Sequence, residues 1–271
     1  MKRGFTLFLI SAAVFLFSGC SSGPDAAVLL REAKTDADQM TSCSADYDST
    51  LVFTANGKEH SFHSSNQIVY QSQPFALKSD QTSELDGVSG EGETYTAEEN
   101  GGLWSYYSTD GKWMKTDAQG ISTVPGDQID ILRMLDGAVD QKYVRETTIN
   151  SLNVHKIELK LQKEVLRSVI ETVVTSSGIA EGSSTVVQTL LDGAPDLYGY
   201  CYISEDKGQI VRAELDAAEA LNTIFGNIEG NSVTVTVSKC QIAGNLSDID
   251  SASAVTLPEG ASDASSVQAY G

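Results

Sequence analysis

The chain has few basic residues for its size. Its 271 residues include 18 Lys and Arg against 37 Asp and Glu, a net charge of −19 at pH 7. Without the first 19 residues, which hold Lys2 and Arg3, the balance is 16 against 37, or −21. Such an acidic surface repels phosphate backbones and anionic headgroups. Nucleic-acid binding is therefore disfavoured, and membrane contact has to be hydrophobic.

Residues for catalysis or metal binding are also scarce. The chain has 3 His and 4 Cys, with no CxxC pair and no Gly-rich phosphate loop. His60 and His63 are predicted to lie on one strand, where their spacing directs them to opposite faces. His155 stands alone in another predicted strand, without a partner for a triad. We expect no enzyme activity, no metal site and no cofactor.

Four glutamates lie close together in one stretch, and they could form a calcium site or the carboxylate pair of a glycoside hydrolase. They follow no EF-hand register, so a solvated acidic hairpin is the favoured interpretation. The residues are Glu91, Glu93, Glu98 and Glu99.

Long hydrophobic runs are absent except at the N-terminus. Phe5 to Phe17 is apolar but shorter than the roughly 20 residues that span a bilayer, and Lys2 and Arg3 precede it. The sequence Phe17-Ser18-Gly19-Cys20 resembles the bacterial lipobox, whose cysteine is acylated. It implies a lipoprotein signal peptide over residues 1–19 and a lipidated tether over 20–24. A diacylglyceryl anchor on Cys20 would hold the protein on the outer face of the bacterial cell membrane. An ordinary secretory signal with an incidental cysteine is the alternative.

Three cysteines remain after Cys20, an odd number for an oxidising compartment. One disulfide and one buried thiol is the simplest arrangement. We predict a bridge between Cys43 and Cys240, which would join the two ends of the folded region. Cys201 with Cys240 is the alternative pairing.

The remaining composition predicts one domain over residues 25–250. Its hydrophobic content, 41% in the whole chain, suffices for one sizeable core. Residues 251–271 are rich in Ser, Ala, Gly and Asp and have little periodic apolar content. We expect this tail to be disordered, because it buries too little apolar surface to offset its ordering entropy.

Periodicity predicts the elements of the domain. A helix is expected over residues 26–41, and alternating strands follow it, with Asn56-Gly57 as a hairpin turn. Pro125 is expected to start a helix that continues to Val139, weakened near its end by Gly137. Two further helices are predicted within residues 163–191. The short turns between strands require antiparallel pairing. The prediction is an α+β fold with a strongly curved antiparallel sheet of roughly ten strands and helices on one side.

This pattern resembles the LolA/LppX-like superfamily of envelope lipoproteins, in particular uncharacterised lipoproteins of Gram-positive bacteria. The most specific element is Tyr106-Tyr107 followed by Asp110-Gly111-Lys112-Trp113. The resemblance implies an incomplete β-barrel with a helical lid that encloses an apolar cavity. Better-known members carry acyl chains or lipids, and the superfamily supplies no catalytic residues to transfer.

Two functional hypotheses follow. In the first, a lipid or acyl chain binds between curved sheet and helical lid. In the second, the same residues fill a solid core, and the surface recognises a partner protein that the sequence does not identify. The predicted cavity residues are Trp104, Tyr106, Met114, Ile131, Leu135, Val169, Val173 and Leu190.

Overall fold

The structure, a computed structural model, describes residues 23–109, 111–177, 184–226 and 234–266. The predicted signal peptide and Cys20 lie outside the described residues. The helices are α1 (Ala26–Asp38), α2 (Pro125–Gln128), α3 (Asp130–Asp136), α4 (Arg167–Ser177), α5 (Ser184–Asp192) and α6 (Ala218–Gly226). The strands are β1 (Ser42–Ala55), β2 (Lys58–Ser72), β3 (Phe75–Leu85), β4 (Val88–Glu99), β5 (Gly102–Thr109), β6 (Lys112–Asp117), β7 (Ala138–Ile149), β8 (Leu152–Leu161), β9 (Leu197–Ser204), β10 (Ile210–Asp216), β11 (Val235–Ser247) and β12 (Ser265–Ser266).

All twelve strands form one curved sheet in the order β12-β6-β5-β4-β3-β2-β1-β11-β10-β9-β8-β7. Every neighbouring pair is antiparallel except β12 and β6, which are parallel. The two end strands, β7 and β12, do not pair with each other, so the barrel is incomplete. The predicted α+β fold with an open, curved sheet is confirmed, with two more strands than expected.

The long hairpins explain how one sheet reaches this size. β1 and β2 pair over fourteen consecutive positions, from Ser42 with Gln71 to Ala55 with Lys58. The turn between them is Asn56-Gly57, at φ of 52° and 78°. Positive φ at both turn residues gives the twist that hairpin strands prefer, and Asn-Gly accepts it readily. The predicted turn is confirmed.

Alternating side chains give this sheet two different faces. The core face is the one that the helices cover, and the outer face is its opposite. On β1, Cys43, Ala45, Leu51 and Phe53 are buried on the core face, whereas Asp46 is exposed on the outer one. Because the side-chain period of a strand is two, this alternation fixes the face of every paired strand.

Helix α1 begins at an N-cap and packs one stripe on the core face. The side chain of Asp25 accepts hydrogen bonds from the N–H groups of Ala27 and Val28, at 2.9 and 3.3 Å. Leu30 and Ala33 lie in its buried stripe. The helix ends at Asp38, three residues before the predicted end.

The helix predicted from Pro125 to Val139 is two short helices instead. Ile129 has extended backbone, φ −108° and ψ 112°, and separates α2 from α3. Gly137 caps α3, and Val139 belongs to β7, where its side chain is 55% exposed. The expected end of this helix is therefore wrong, because strand pairing begins at Ala138 opposite Leu161.

The predicted disulfide between Cys43 and Cys240 is contradicted by the strand register. Cys240 pairs with Leu51, eight residues along β1 from Cys43. At about 3.3 Å per residue this is roughly 26 Å, whereas a disulfide needs Cα atoms within about 7 Å. All three described cysteines are buried and free.

The alternative pairing fails for the same reason. Cys201 pairs with Ala213, which pairs with Gly244, four residues along β11 from Cys240. Cys201 and Cys240 are thus two strands apart across the sheet and four residues apart along it, too far for a disulfide. Burial raises the pKa of each of the three thiols to about 12, so they are inert in the folded protein.

The C-terminal tail is not disordered as far as Ser266. Residues 251–266, the C-terminal strap, cross the outer face of the sheet and end in β12, beside β6. Ala261 and Ala264 are buried there. The composition argument failed because two small side chains and backbone pairing suffice to order a segment against an existing surface. Residues 267–271 lie outside the described ranges.

Candidate functional site

The larger of the two described clusters of buried apolar side chains lies on the core face, and three helical segments cover part of it. We call residues 163–192 the lid, comprising a 3₁₀ turn (Lys163–Leu166), α4 and α5, without 178–183, which are not described. The side of the lid that faces the sheet is buried, and most residues of its opposite side are exposed to solvent. The buried side chains of the lid are Leu166, Val169, Ile170, Val173, Val174, Val187, Leu190 and Leu191. Doublets that recur every four positions predicted this stripe, and it is confirmed.

Among the described residues, polar side chains of the lid bond only to other parts of the lid. Arg167 bonds to Glu164 at 2.9 Å and donates to the Gln188 amide oxygen at 2.7 Å. Gln188 in turn donates to Asp192 at 2.9 Å, and Lys163 donates to the Asp192 carbonyl at 3.4 Å. These bonds join α4, α5 and the 3₁₀ turn into one unit.

No hydrogen bond or ion pair among the described residues joins that unit to the sheet or to another helix. Its backbone bonds reach only its immediate flanks, at Gln162, Gly193 and Ala194. The lid is therefore held on the core face by apolar packing and by its two chain connections. Apolar contacts are not directional, so no described polar bond opposes a sliding or lifting movement of the lid.

The other helices are tied to their surroundings by polar groups. Asn222 on α6 donates to the Val237 carbonyl at 2.8 Å and accepts from the Val237 N–H at 2.7 Å. Lys34 on α1 forms an ion pair with Asp136 on α3. Directional bonds of this kind fix one arrangement. The described lid residues make no hydrogen bond or ion pair of this kind to the sheet or to another helix.

The eight predicted cavity residues do not lie together. Five belong to the large core beneath the helices, all of them buried. They are Ile131, Leu135, Val169, Val173 and Leu190. Trp104 and Tyr106 do not join them, because Tyr106 pairs with Tyr95 and Tyr95 with Lys78 on the outer face. Met114 pairs with Tyr107 and so lies on the face opposite Tyr106, half-buried.

Trp104 and Tyr106 form a second, smaller core with the C-terminal strap. Tyr106 is fully buried, and its hydroxyl donates to Glu99 at 2.7 Å. Burial, and then the Glu99 carboxylate, raise the pKa of this hydroxyl. Lys115 lies over the rings of Trp104 and Tyr106, 5.1 and 5.8 Å from their centroids. The buried and half-buried apolar members are Ala76, Tyr95, Ala97, Trp104, Tyr106, Trp113, Val255, Leu257, Ala261 and Ala264.

The described clefts lie away from the space between core face and lid. Clefts of about 310, 310 and 380 Å³ occur elsewhere, among β9 to β11 and beside α1. A cleft between α1 and the sheet holds only about 10 Å³, the size of one water molecule. Drug-sized ligands occupy roughly 300–1,000 Å³, and no lid residue lines any of these four clefts. None of the described clefts therefore offers a ligand site between sheet and lid.

The two histidines of β2 lie on opposite faces, as the strand spacing predicts. His60 is buried against Phe53, with ring centroids 5.0 Å apart, and its Nδ1 is 2.7 Å from the Asp86 carboxylate. His63 lies 3.3 Å from the Thr50 hydroxyl. Both positions have structural explanations within the sheet.

The four acidic residues of β4 have separate environments. Glu93 accepts from the hydroxyl of Tyr95 at 2.7 Å and forms an ion pair with Lys78 at 3.2 Å. Glu99 accepts from Tyr106, as described above, whereas Glu91 and Glu98 are exposed. The hairpin is acidic and solvated, with two of its carboxylates paired to neighbouring strands.

Comparisons with solved structures find weak similarity at low sequence identity. No family model and no curated protein matches the sequence. Among solved structures, LprF from Mycobacterium bovis is 13% identical, with 88% of this chain and 98% of that chain covered and a TM-score of 0.49. The lipoprotein LppX from Mycobacterium tuberculosis is 14% identical over 85% of this chain and 99% of that chain, with a TM-score of 0.41. A putative outer membrane lipoprotein-sorting protein domain from Vibrio parahaemolyticus is 8% identical over 85% and 94%, with a TM-score of 0.25.

Identity is low in every case, so the site has to be understood from the residues of this chain. No helix within the described ranges is long and apolar enough to cross a membrane.

Proposed function

We propose that this protein is a non-enzymatic extracytoplasmic lipoprotein that binds a hydrophobic ligand, an acyl chain or lipid, between core face and lid. Acylation of Cys20 anchors it to the outer face of the bacterial cell membrane. The lipobox-like sequence before Cys20 supports the anchor, since two acyl chains suffice for stable attachment.

One observation supports the ligand proposal, namely that the described part of the lid packs on an apolar face without a hydrogen bond or ion pair to the sheet. Lifting it leaves no described hydrogen bond or ion pair broken between lid and sheet. The apolar surface that becomes exposed costs about 25 cal/mol per Å² in water. An acyl chain that covers this surface removes that cost.

The mechanism is therefore an exchange of apolar partners. In the closed state the lid side chains cover the core face, and in the loaded state the ligand lies between them. A ligand shifts this equilibrium only by its differential affinity for the open form. The polar network of the lid keeps α4 and α5 together while the unit moves.

The second hypothesis, a surface recognition module, is favoured by a different observation. The described clefts lie elsewhere on the molecule, and the described lid packs buried side chains against the core face. A permanently closed lid would make the core structural, and the acidic surface would then recognise a basic partner protein in a salt-dependent manner.

Native mass spectrometry with organic extraction distinguishes the two hypotheses. A chain that begins at Ser21 keeps every described residue and carries no acyl group of its own. After incubation with mixed lipids, the carrier hypothesis predicts a discrete added mass that extracts as lipid. A mass equal to that of the polypeptide alone contradicts it and favours the recognition module. The same spectrum shows whether the thiols keep their hydrogens, as the register predicts.

A matched pair of variants localises the ligand. Ile170→Ala opens space under the lid, and Ile129→Ala opens similar space between α2 and α3, both side chains being fully buried. We expect Ile170→Ala to change lipid retention and Ile129→Ala to leave it unchanged. Equal effects would place the ligand outside the lid.

The anchor has an independent test. In cells labelled with a palmitate analogue, the full chain is expected to carry label and to sediment with membranes. The variant Cys20→Ala is expected to lose both properties. Label that persists in this variant would contradict acylation at Cys20.

A further inference from the structure

Glu146, His155 and Glu205 come together where strands β7, β8 and β9 end. Each offers one potential ligand atom, and the three atoms lie within 4.8 Å of one another. Glu146 is the direct strand partner of His155. Glu205 follows β9, and its N–H donates to the carbonyl of Asn153 at 3.0 Å. The backbone therefore holds all three positions.

His155 contributes a second and independent observation. Its Nδ1 atom is buried and is the one buried side-chain nitrogen or oxygen, among the described residues, without a hydrogen-bond partner. Buried polar atoms are nearly always paired, and an exception calls for a bound water or ion. His155 itself is half-buried, whereas both glutamates are exposed.

The carboxylates of the cluster also lack a counter-charge. Neither Glu146 nor Glu205 forms an ion pair with a described Lys or Arg, although other carboxylates of the sheet do. Two like charges this close repel each other, and a cation between them removes the repulsion. The net charge of −19 raises the local concentration of cations further.

An aromatic wall closes one side of the cluster. The ring centroid of Tyr143 lies 5.9 Å from that of His155. Gly23 lies against the same ring, because a Cβ there would be 2.4 Å from its Cδ1 atom. Gly23 is three residues from Cys20, so the cluster is close to the start of the described chain.

We propose that Glu146, His155 and Glu205 bind a divalent transition-metal ion of the Zn²⁺ class. One imidazole nitrogen and two carboxylate oxygens suit such an ion, whereas Ca²⁺ and Mg²⁺ prefer oxygen ligands alone. The exposed glutamates can rotate to close around the ion, and water completes its coordination. The proposal does not rest on lipid binding. No sequence motif indicates the site, because its residues are 9 and 50 positions apart along the chain.

Isothermal titration calorimetry with ZnCl₂ tests the site on chelator-treated protein that begins at Ser21. We expect one ion per chain, with affinity at least about tenfold weaker in Glu146→Gln and in Glu205→Gln. Because both side chains are exposed, these variants should fold, and circular dichroism checks this. His155→Gln should weaken binding as well, and the control His63→Gln should not.

The site would be overturned by an absence of Zn²⁺ binding, or by binding that these glutamine variants leave unchanged. Equal or stronger binding of Ca²⁺ that is insensitive to His155→Gln would overturn the assignment to a transition metal. Neither result bears on lipid retention, so this site and the proposed carrier function fail separately.

Discussion

Two segments cover opposite faces of the same sheet, and they are attached in opposite ways. The lid buries eight apolar side chains on the core face and makes no described polar bond to it. The C-terminal strap buries little but bonds to the sheet at both ends, at Ser42 and Gln71 first and through β12 last. The lid is held by buried apolar surface alone, which allows it to move. The strap is held by hydrogen bonds, which fix its position although it buries little surface.

The largest contrast should appear in hydrogen exchange of the unmodified chain. If the lid opens as a unit, amides of α4 and α5 exchange at least about a hundredfold faster than amides of β1 and β11, a difference of roughly 2.8 kcal/mol. Exchange measured by mass spectrometry at neutral pH checks this. Equal protection of the lid and these strands would show that the lid opens only when the whole domain unfolds.

Removing a buried side chain of the lid should cost the next most. Leu191→Ala is expected to lower the free energy of unfolding by about 2–5 kcal/mol, because Leu191 is 1% exposed and its contacts are lost. Thr189→Ala, exposed on the same helix, should stay within about 0.5 kcal/mol. Denaturant titration measures both. A loss below 1 kcal/mol for Leu191→Ala would mean that the lid repacks freely.

Removal of residues 252–271 should expose the second core at moderate cost. The chain has two tryptophans, Trp104 and Trp113, and both pack there. We expect a red shift of tryptophan emission and a loss of about 1–3 kcal/mol, the sum of a few hydrogen bonds minus the ordering entropy. Leu191→Ala should leave the native emission unchanged, since the lid is on the other face. An unshifted spectrum after truncation would contradict the docking of the strap.

The smallest effect concerns the carboxylate of Asp250, the residue that immediately precedes the C-terminal strap. Asp250 accepts from the N–H and the hydroxyl of Thr41, at 2.7 and 2.8 Å, and these bonds lower its pKa below the usual 3.8. Its contribution is full above that value and lost as pH falls through the lowered pKa. Asp250→Asn should cost about 1 kcal/mol near neutral pH and nothing in strong acid.

Unfolding curves of both proteins from about pH 7 to pH 2 check this expectation. Asp248→Asn is the matched control, because Asp248 is exposed on the same turn and its side chain makes no described hydrogen bond. A constant difference between Asp250→Asn and the unmodified chain at all pH values would show that charge plays no part.

The sequence predicted features that depend on neighbouring residues along the chain. The Asn56-Gly57 turn, the helix that follows Asp25 and the helix that includes Val169 and Val173 come from local patterns. Features that depend on register were missed. Cys43 and Cys240 lie on adjacent strands, as expected of chain ends, but eight positions out of register.

Face assignments failed where the outer face of the sheet is also covered. Trp104 and Tyr106 look like core residues, and they are, but of the second core under the strap. The alternation of apolar residues along a strand does not show which face of the sheet they occupy when both faces bury aromatic rings. The trio Glu146, His155 and Glu205 was equally invisible, because three strand ends bring it together.

The sequence by itself determined most of the elements, the α+β class and the antiparallel pairing, because periodicity and turns act over a few residues. The tertiary structure decided which residues share a face, which thiols stay apart and how each cover is attached. These properties depend on strand register and on contacts between distant segments. The difference between a lid held by apolar contact and a strap held by hydrogen bonds belongs to that second group.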